Sequence, residues 1–141
     1  MRKIRSTALL LSVLLLLILP VLANPRVAYA ESIPPVTTAT TDRAANGLGW
    51  YRQPVTVALD ADDGAGGSGV ASITYQSLPG SAQTIPSDTV ASDHVEIRID
   101  TTGITTIEYF ATDVDGNEKT PQTIEIKLDR VRPTVSAPAP R

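Results

Sequence analysis

The chain has 141 residues, with twelve Lys and Arg against fifteen Asp and Glu, no cysteine and one histidine. The missing cysteine excludes disulfides, thiolate zinc sites, cysteine nucleophiles and lipid attachment to an N-terminal Cys. His94, standing alone, excludes any site that needs two imidazoles. The acidic balance argues against phosphate-backbone binding, which calls for a surplus of Lys and Arg.

In chain order, Arg2, Lys3 and Arg5 make a basic start. An apolar run from Ala8 to Leu19 follows, broken only by Ser12 and closed by Pro20. Ala28-Tyr29-Ala30 puts small residues at the two positions a signal peptidase reads. This is the three-part layout of a secretory signal, and the run is too short for a span of about 20 apolar residues. Residues 1–30 are therefore expected to be a signal peptide, cut after Ala30 or, through Val21-Leu22-Ala23, after Ala23. A cut after Ala30 removes four cations and leaves eight against fifteen acids over 111 residues, a net charge of −7. That length suits one domain with a single core, secreted or held at the cell surface. No further membrane span is expected after cleavage.

The remaining chain reads as strands. Sixteen of those 111 residues are Thr, and β-branched side chains fit a pleated surface better than a helix. Val36 to Thr41 is the expected first strand. Val55, Val57 and Leu59 then alternate with polar or small neighbours, as do Ala71, Ile73 and Tyr75. Val95, Ile97 and Ile99 repeat the pattern, followed by Ile107, Tyr109 and Ala111, and by Ile124, Ile126 and Leu128. Each strand has one apolar and one wet face, as an antiparallel sandwich requires. A weaker strand falls near Ala82 to Ile85 or near Thr89 to Ala91, which brings the count to about seven. Gly64 to Gly69, Pro79-Gly80, Thr101-Thr102-Gly103 and Asp115-Gly116 supply the turns. The expected fold is an all-β, immunoglobulin-like antiparallel β-sandwich. Residues 31–35 form a linker before it, 36–129 form the sandwich, and 130–141 form a Pro-rich linker or the start of a next repeat. Tyr109 stands where related sandwiches carry a tyrosine that bonds backbone at the strand corner.

Several segments resemble one family. Asn46-Gly47-Leu48-Gly49-Trp50-Tyr51, then Pro54-Val55-Thr56-Val57, is similar to the opening of a bacterial Ig-like tandem repeat, also described as the bacterial outer-membrane-protein-type β-barrel domain. Ser68-Gly69-Val70, Tyr109-Phe110-Ala111-Thr112-Asp113 and Gly116-Asn117-Glu118 resemble later motifs of that repeat, in the same order. Lys127 to Val135 resembles its inter-repeat linker, and Pro35-Val36-Thr37 and Pro133-Thr134-Val135 resemble two successive repeat starts. The resemblance implies a non-catalytic module, a structural spacer or an adhesive and presentation domain. Its implied partners are neighbouring repeats and cell-surface or extracellular polymers, with no nucleic acid.

Two sets of residues are candidate sites. Asp60, Asp62 and Asp63 follow one strand, and Asp113, Asp115 and Asn117 follow another whose loop lies at the same end of such a sandwich. Clustered carboxylates suit a hard cation, so these are candidate ligands for Ca²⁺ in a calcium-stiffened adhesin segment. No cofactor is otherwise required. The EF-hand pattern fails, because Gly116 falls at the fourth position and no Glu at the twelfth; Asp and Asn are also ordinary turn residues. Tyr51 and Phe110 are the candidate ligand-binding aromatics of a carbohydrate-binding module, whereas Trp50 is expected to plug one end of the sandwich. No catalytic residues are expected. Glu96, Glu108 and Glu125 sit at outward positions, the Asp93–His94 neighbours lack a cleft, and the glycine loop lacks the Lys-Ser/Thr ending of a phosphate loop.

Overall fold

A computed structural model describes residues 32–132 and 134. The expected signal segment 1–30 lies outside the described residues, as do positions 133 and 135–141 of the expected linker. Eight strands follow in order: β1 Val36–Thr41, β2 Trp50–Tyr51, β3 Val55–Asp62, β4 Val70–Ser77, β5 Asp88–Val90, β6 His94–Ile99, β7 Gly103–Asp113 and β8 Gln122–Leu128. They form a three-stranded sheet, β1-β3-β6, and a five-stranded sheet, β2-β8-β7-β4-β5. Every pairing is antiparallel except the short parallel contact of β2 with β8. This is the expected all-β, immunoglobulin-like sandwich.

The alternation of apolar residues builds the core. Val55, Val57 and Leu59 of β3 and Val95, Ile97 and Ile99 of β6 face Ile73, Ile107, Tyr109, Ala111 and Ile126 across the two sheets. With no disulfide to join the sheets, burial of this set is what stabilises them, at about 25 cal/mol per Å² of apolar surface. In β1 the phase differs from a simple apolar-in reading: Val36 is exposed, whereas Pro35 and Thr37 are buried. Of the two places suggested for the weak strand, the structure has the second, as Asp88–Val90. The short β2 had no periodic signal, being two residues long.

Register defines the ends. Val36 lies opposite Asp62, and Val70 opposite Asp113. Asp60 lies opposite His94. Gln122 Nε2 donates to the Thr37 carbonyl at 3.2 Å, bringing the start of β8 to the same end. At the other end, Thr41 lies opposite Val57, Val55 opposite Ile99, and Gly103 opposite Leu128. The chain thus runs into β1 at one end of the sandwich and out of β8 at the other.

Candidate functional site

The two acidic loops do meet. The Val114 amide donates to the Gly69 carbonyl at 2.9 Å, and the Asp115 amide to Ser68 Oγ at 3.2 Å. Within this end, however, much of the acid is engaged by its own loop. Asp62 Oδ1 accepts from the Gly64 amide at 2.8 Å, and Asp63 Oδ2 from the Gly69 amide at 2.7 Å. A Cβ on Gly67 would collide with Asp63, so that position admits no larger residue without a shift. Asp113, 2 % exposed, accepts from the Asn117 amide on one oxygen and from Asn117 Nδ2 on the other, each at 2.7 Å. Burial acts to raise its pKa, but the bonds from Asn117 and the Gly116 and Asp115 amides prevail and hold the carboxyl below the usual range. Among the described residues Asp63 Oδ1 is buried without a partner. It borders a cavity of about 400 Å³ that Asp62 and Asp93 also line. Among the described residues, no three His, Cys, Asp or Glu side chains are grouped as a metal site.

Asp60 is not turned toward Asp113. It lies on the outer face of β3, where its Oδ1 is 2.7 Å from His94 Nδ1. This bond, more than the flanking charges of Glu96 and Asp93, raises the His94 pKa from its ordinary value. The sequence neighbours Asp93 and His94 are therefore not the pair that forms. The strand acids face outward: Glu125 pairs with Lys127 at 3.1 Å, and Glu108 accepts from Gln76 at 3.0 Å.

The candidate aromatics do not share a face. Tyr51 packs against the inner core, and its hydroxyl donates to Thr41 Oγ1 at 3.2 Å. Phe110 alternates with the buried Tyr109 and Ala111 of β7, on the outer side of the sheet. Tyr109 is buried and its pKa raised by that burial. Its hydroxyl makes no hydrogen bond among the described residues, so the expected corner bond is absent there.

Trp50 lies at the opposite end, as expected of an end plug, but it borders an open cavity of about 660 Å³. Asn46 shapes this end. Its Oδ1 accepts from the Leu48 amide at 3.0 Å and the Trp50 amide at 2.9 Å. Gly49, at φ 79°, supplies the left-handed turn between them. Arg52, Asp129, Arg130, Val131 and Arg132 complete the wall. Sequence reading missed this basic cavity, because the contributing segments lie some 80 residues apart. It also missed Gln83, which ties the loop before β5 to both sheets. Its Nε2 donates to the Arg98 carbonyl at 2.8 Å. Its Oε1 accepts from the amides of Asp100 at 2.8 Å and Thr101 at 3.1 Å. Its own amide satisfies the hydroxyl of buried Thr105 at 3.1 Å.

No family model matches the chain, and no curated protein matches it. Among solved structures, the chain is similar to the fibronectin(III)-like modules of Clostridium thermocellum CbhA. It is 17 % identical over 66 % of this chain and 100 % of that one, with a TM-score of 0.36. The sandwich assignment rests on the two sheets themselves and takes nothing from that likeness. Among the described residues no helix is long and apolar enough to cross a membrane.

Proposed function

We propose that the chain is a non-catalytic, exported module that acts as a spacer or presentation domain outside the cell. The observation that supports this most directly is the path of the chain, into β1 at one end and out of β8 at the other. A polypeptide continuing on both sides is held apart by the length of the sandwich, about 25 Å for an eight-residue strand. The outward-facing acids and the Asp60–His94 pair are in keeping with a surface that hydrates and does no chemistry. The order of motifs similar to bacterial Ig-like repeats supports the same use. The test is passage over insoluble cellulose, chitin and peptidoglycan, together with assays for hydrolysis of each. A spacer passes through and releases no product; retention or turnover refutes it.

Two specific observations favour other readings. Trp50 in an open cavity favours a carbohydrate-binding module, which would replace Tyr51 and Phe110 as the place of contact; retention lost on Trp50→Ala would establish it. The buried, unpartnered Asp63 Oδ1 favours calcium stiffening. At about 1 mM Ca²⁺ and a Kd of about 10⁻⁴–10⁻³ M the gain is about 0.4–1.4 kcal/mol, a melting shift of a few degrees. Identical melting in calcium and in chelator removes that reading.

A further inference from the structure

We propose that the basic end of the sandwich is a socket for the acidic end of a second copy of this chain, so that molecules associate head to tail. The socket is the cavity of about 660 Å³ whose lining includes the apolar Trp50, Leu48 and Val131 and three arginines, Arg52, Arg130 and Arg132, against one acid, Asp129. Among the described residues Leu48 is 81 % and Val131 74 % exposed, so this apolar lining is open to a partner. The cations Arg43, Arg98 and Lys127 of this end are engaged by Asp42, Asp100 and Glu125, and Arg130 donates to the Asp100 carbonyl at 3.0 Å, whereas Arg52 and Arg132 belong to none of these pairs among the described residues.

The opposite end has the complementary sign. The turn after β7 projects Val114, 66 % exposed, between Asp113 and Asp115, beside the Asp62–Gly69 loop. The buried Asp113 is satisfied by Asn117, so the exposed acids beside this apolar tip are Asp62 and Asp115. They are opposite in sign to the arginines of the cavity, and Arg–carboxylate contacts are charge-assisted. The chain's overall acidity does not forbid this. The ends are about 25 Å apart along an eight-residue strand, beyond the Debye length of about 10 Å at 0.1 M salt. Each end therefore presents its local charge. An end-to-end two-fold dimer would set like charge on like charge. The favoured contact is heterologous and does not close, which produces an open stack. This inference does not depend on the spacer reading.

Sedimentation velocity of the purified protein, from about 10 μM to about 1 mM, tests it. At 0.1 M salt the weight-average mass rises with concentration past two copies, and the apparent association constant falls at least about tenfold at 1 M salt, where the Debye length is about 3 Å. Arg52→Ala with Arg132→Ala disables the socket, and Val114→Lys disables the tip; these are exposed side chains, and circular dichroism checks that both variants fold. Each variant alone stays monomeric. An equimolar mixture forms a complex that stops at two copies, since one partner supplies the intact tip and the other the intact socket. The proposal is overturned if the parent stays monomeric at about 1 mM, if its mass halts at two, or if either variant associates like the parent. It is also overturned if Trp50 fluorescence responds to polygalacturonate while the protein remains monomeric, which would make an anionic polymer the occupant.

Discussion

Gln83→Ala tests whether the loop before β5 is a latch between the sheets. The substitution removes three hydrogen bonds, one to the Arg98 carbonyl and two from the Asp100 and Thr101 amides, at 2.8 to 3.1 Å. A protein hydrogen bond contributes about 0.5–1.5 kcal/mol net. Asp100 and Thr101 are exposed, so water recovers part of the loss, and the expected destabilisation is about 2 kcal/mol. For a domain of this size that lowers Tm by about 8–16 °C. The urea m-value should stay constant, because the surface exposed on unfolding does not change. Gln83→Glu keeps both acceptors but loses the donor and sets a carboxylate against a carbonyl, so it should fall between parent and Gln83→Ala. Native-state hydrogen exchange gives the residue-level readout: the Asp100 and Thr101 amides should lose protection while those of β3 and β7 keep theirs. A Gln83→Ala protein melting within about 1 °C of the parent, with both amides still protected, refutes the latch.

The raised His94 pKa has a definite sign for stability. The Asp60–His94 pair contributes fully below the unfolded value of 6.5, and its contribution is lost as pH rises through the raised folded value. The gap in Tm between the parent and Asp60→Asn should accordingly narrow from pH 6 to pH 9; a constant gap counts against the pairing. Asp113 behaves oppositely. Its folded pKa lies below the unfolded 3.8, so its contribution is present above that value and lost as pH falls through the lower one. Acid titration of Asp113→Asn should show a shallower loss of stability below pH 4 than the parent shows. Gly103→Ala places a Cβ at φ 130°, 2.5 Å from the Ala82 Cβ. It should cost more than about 2 kcal/mol, and Ala82→Gly should recover only the collision part in a double-mutant cycle read by urea unfolding.

What was legible in the sequence follows from the range of the forces involved. The period of two in Val55-Val57-Leu59 and Val95-Ile97-Ile99 is a local property, and it placed the core face of β3 and β6 correctly. Turn chemistry is local too: Gly116 takes φ 89° after Asp115, and Gly103 opens β7 at φ 130°. β1 shows the limit. Propensity marks Val36–Thr41 as a strand, but only packing against β3 decides that Thr37 turns inward and Val36 outward.

The side-chain partners were a matter for the tertiary structure. Asp93 adjoins His94 in sequence, yet strand register sets His94 opposite Asp60, and the bond forms there. Tyr51 and Phe110 read as two available aromatics, but β2 joins the sheet edge with Tyr51 packed inward while β7 turns Phe110 outward. The net charge is a property of composition alone. Its division into an acidic end at the start of β1 and a basic cavity beyond β8 arises because antiparallel pairing gathers loops that are remote in the chain. Sequence by itself determined the strands and their buried faces, because side-chain alternation is written residue by residue. Only the folded sandwich decided which charges and aromatics meet, because those distances depend on register between strands and not on spacing along one.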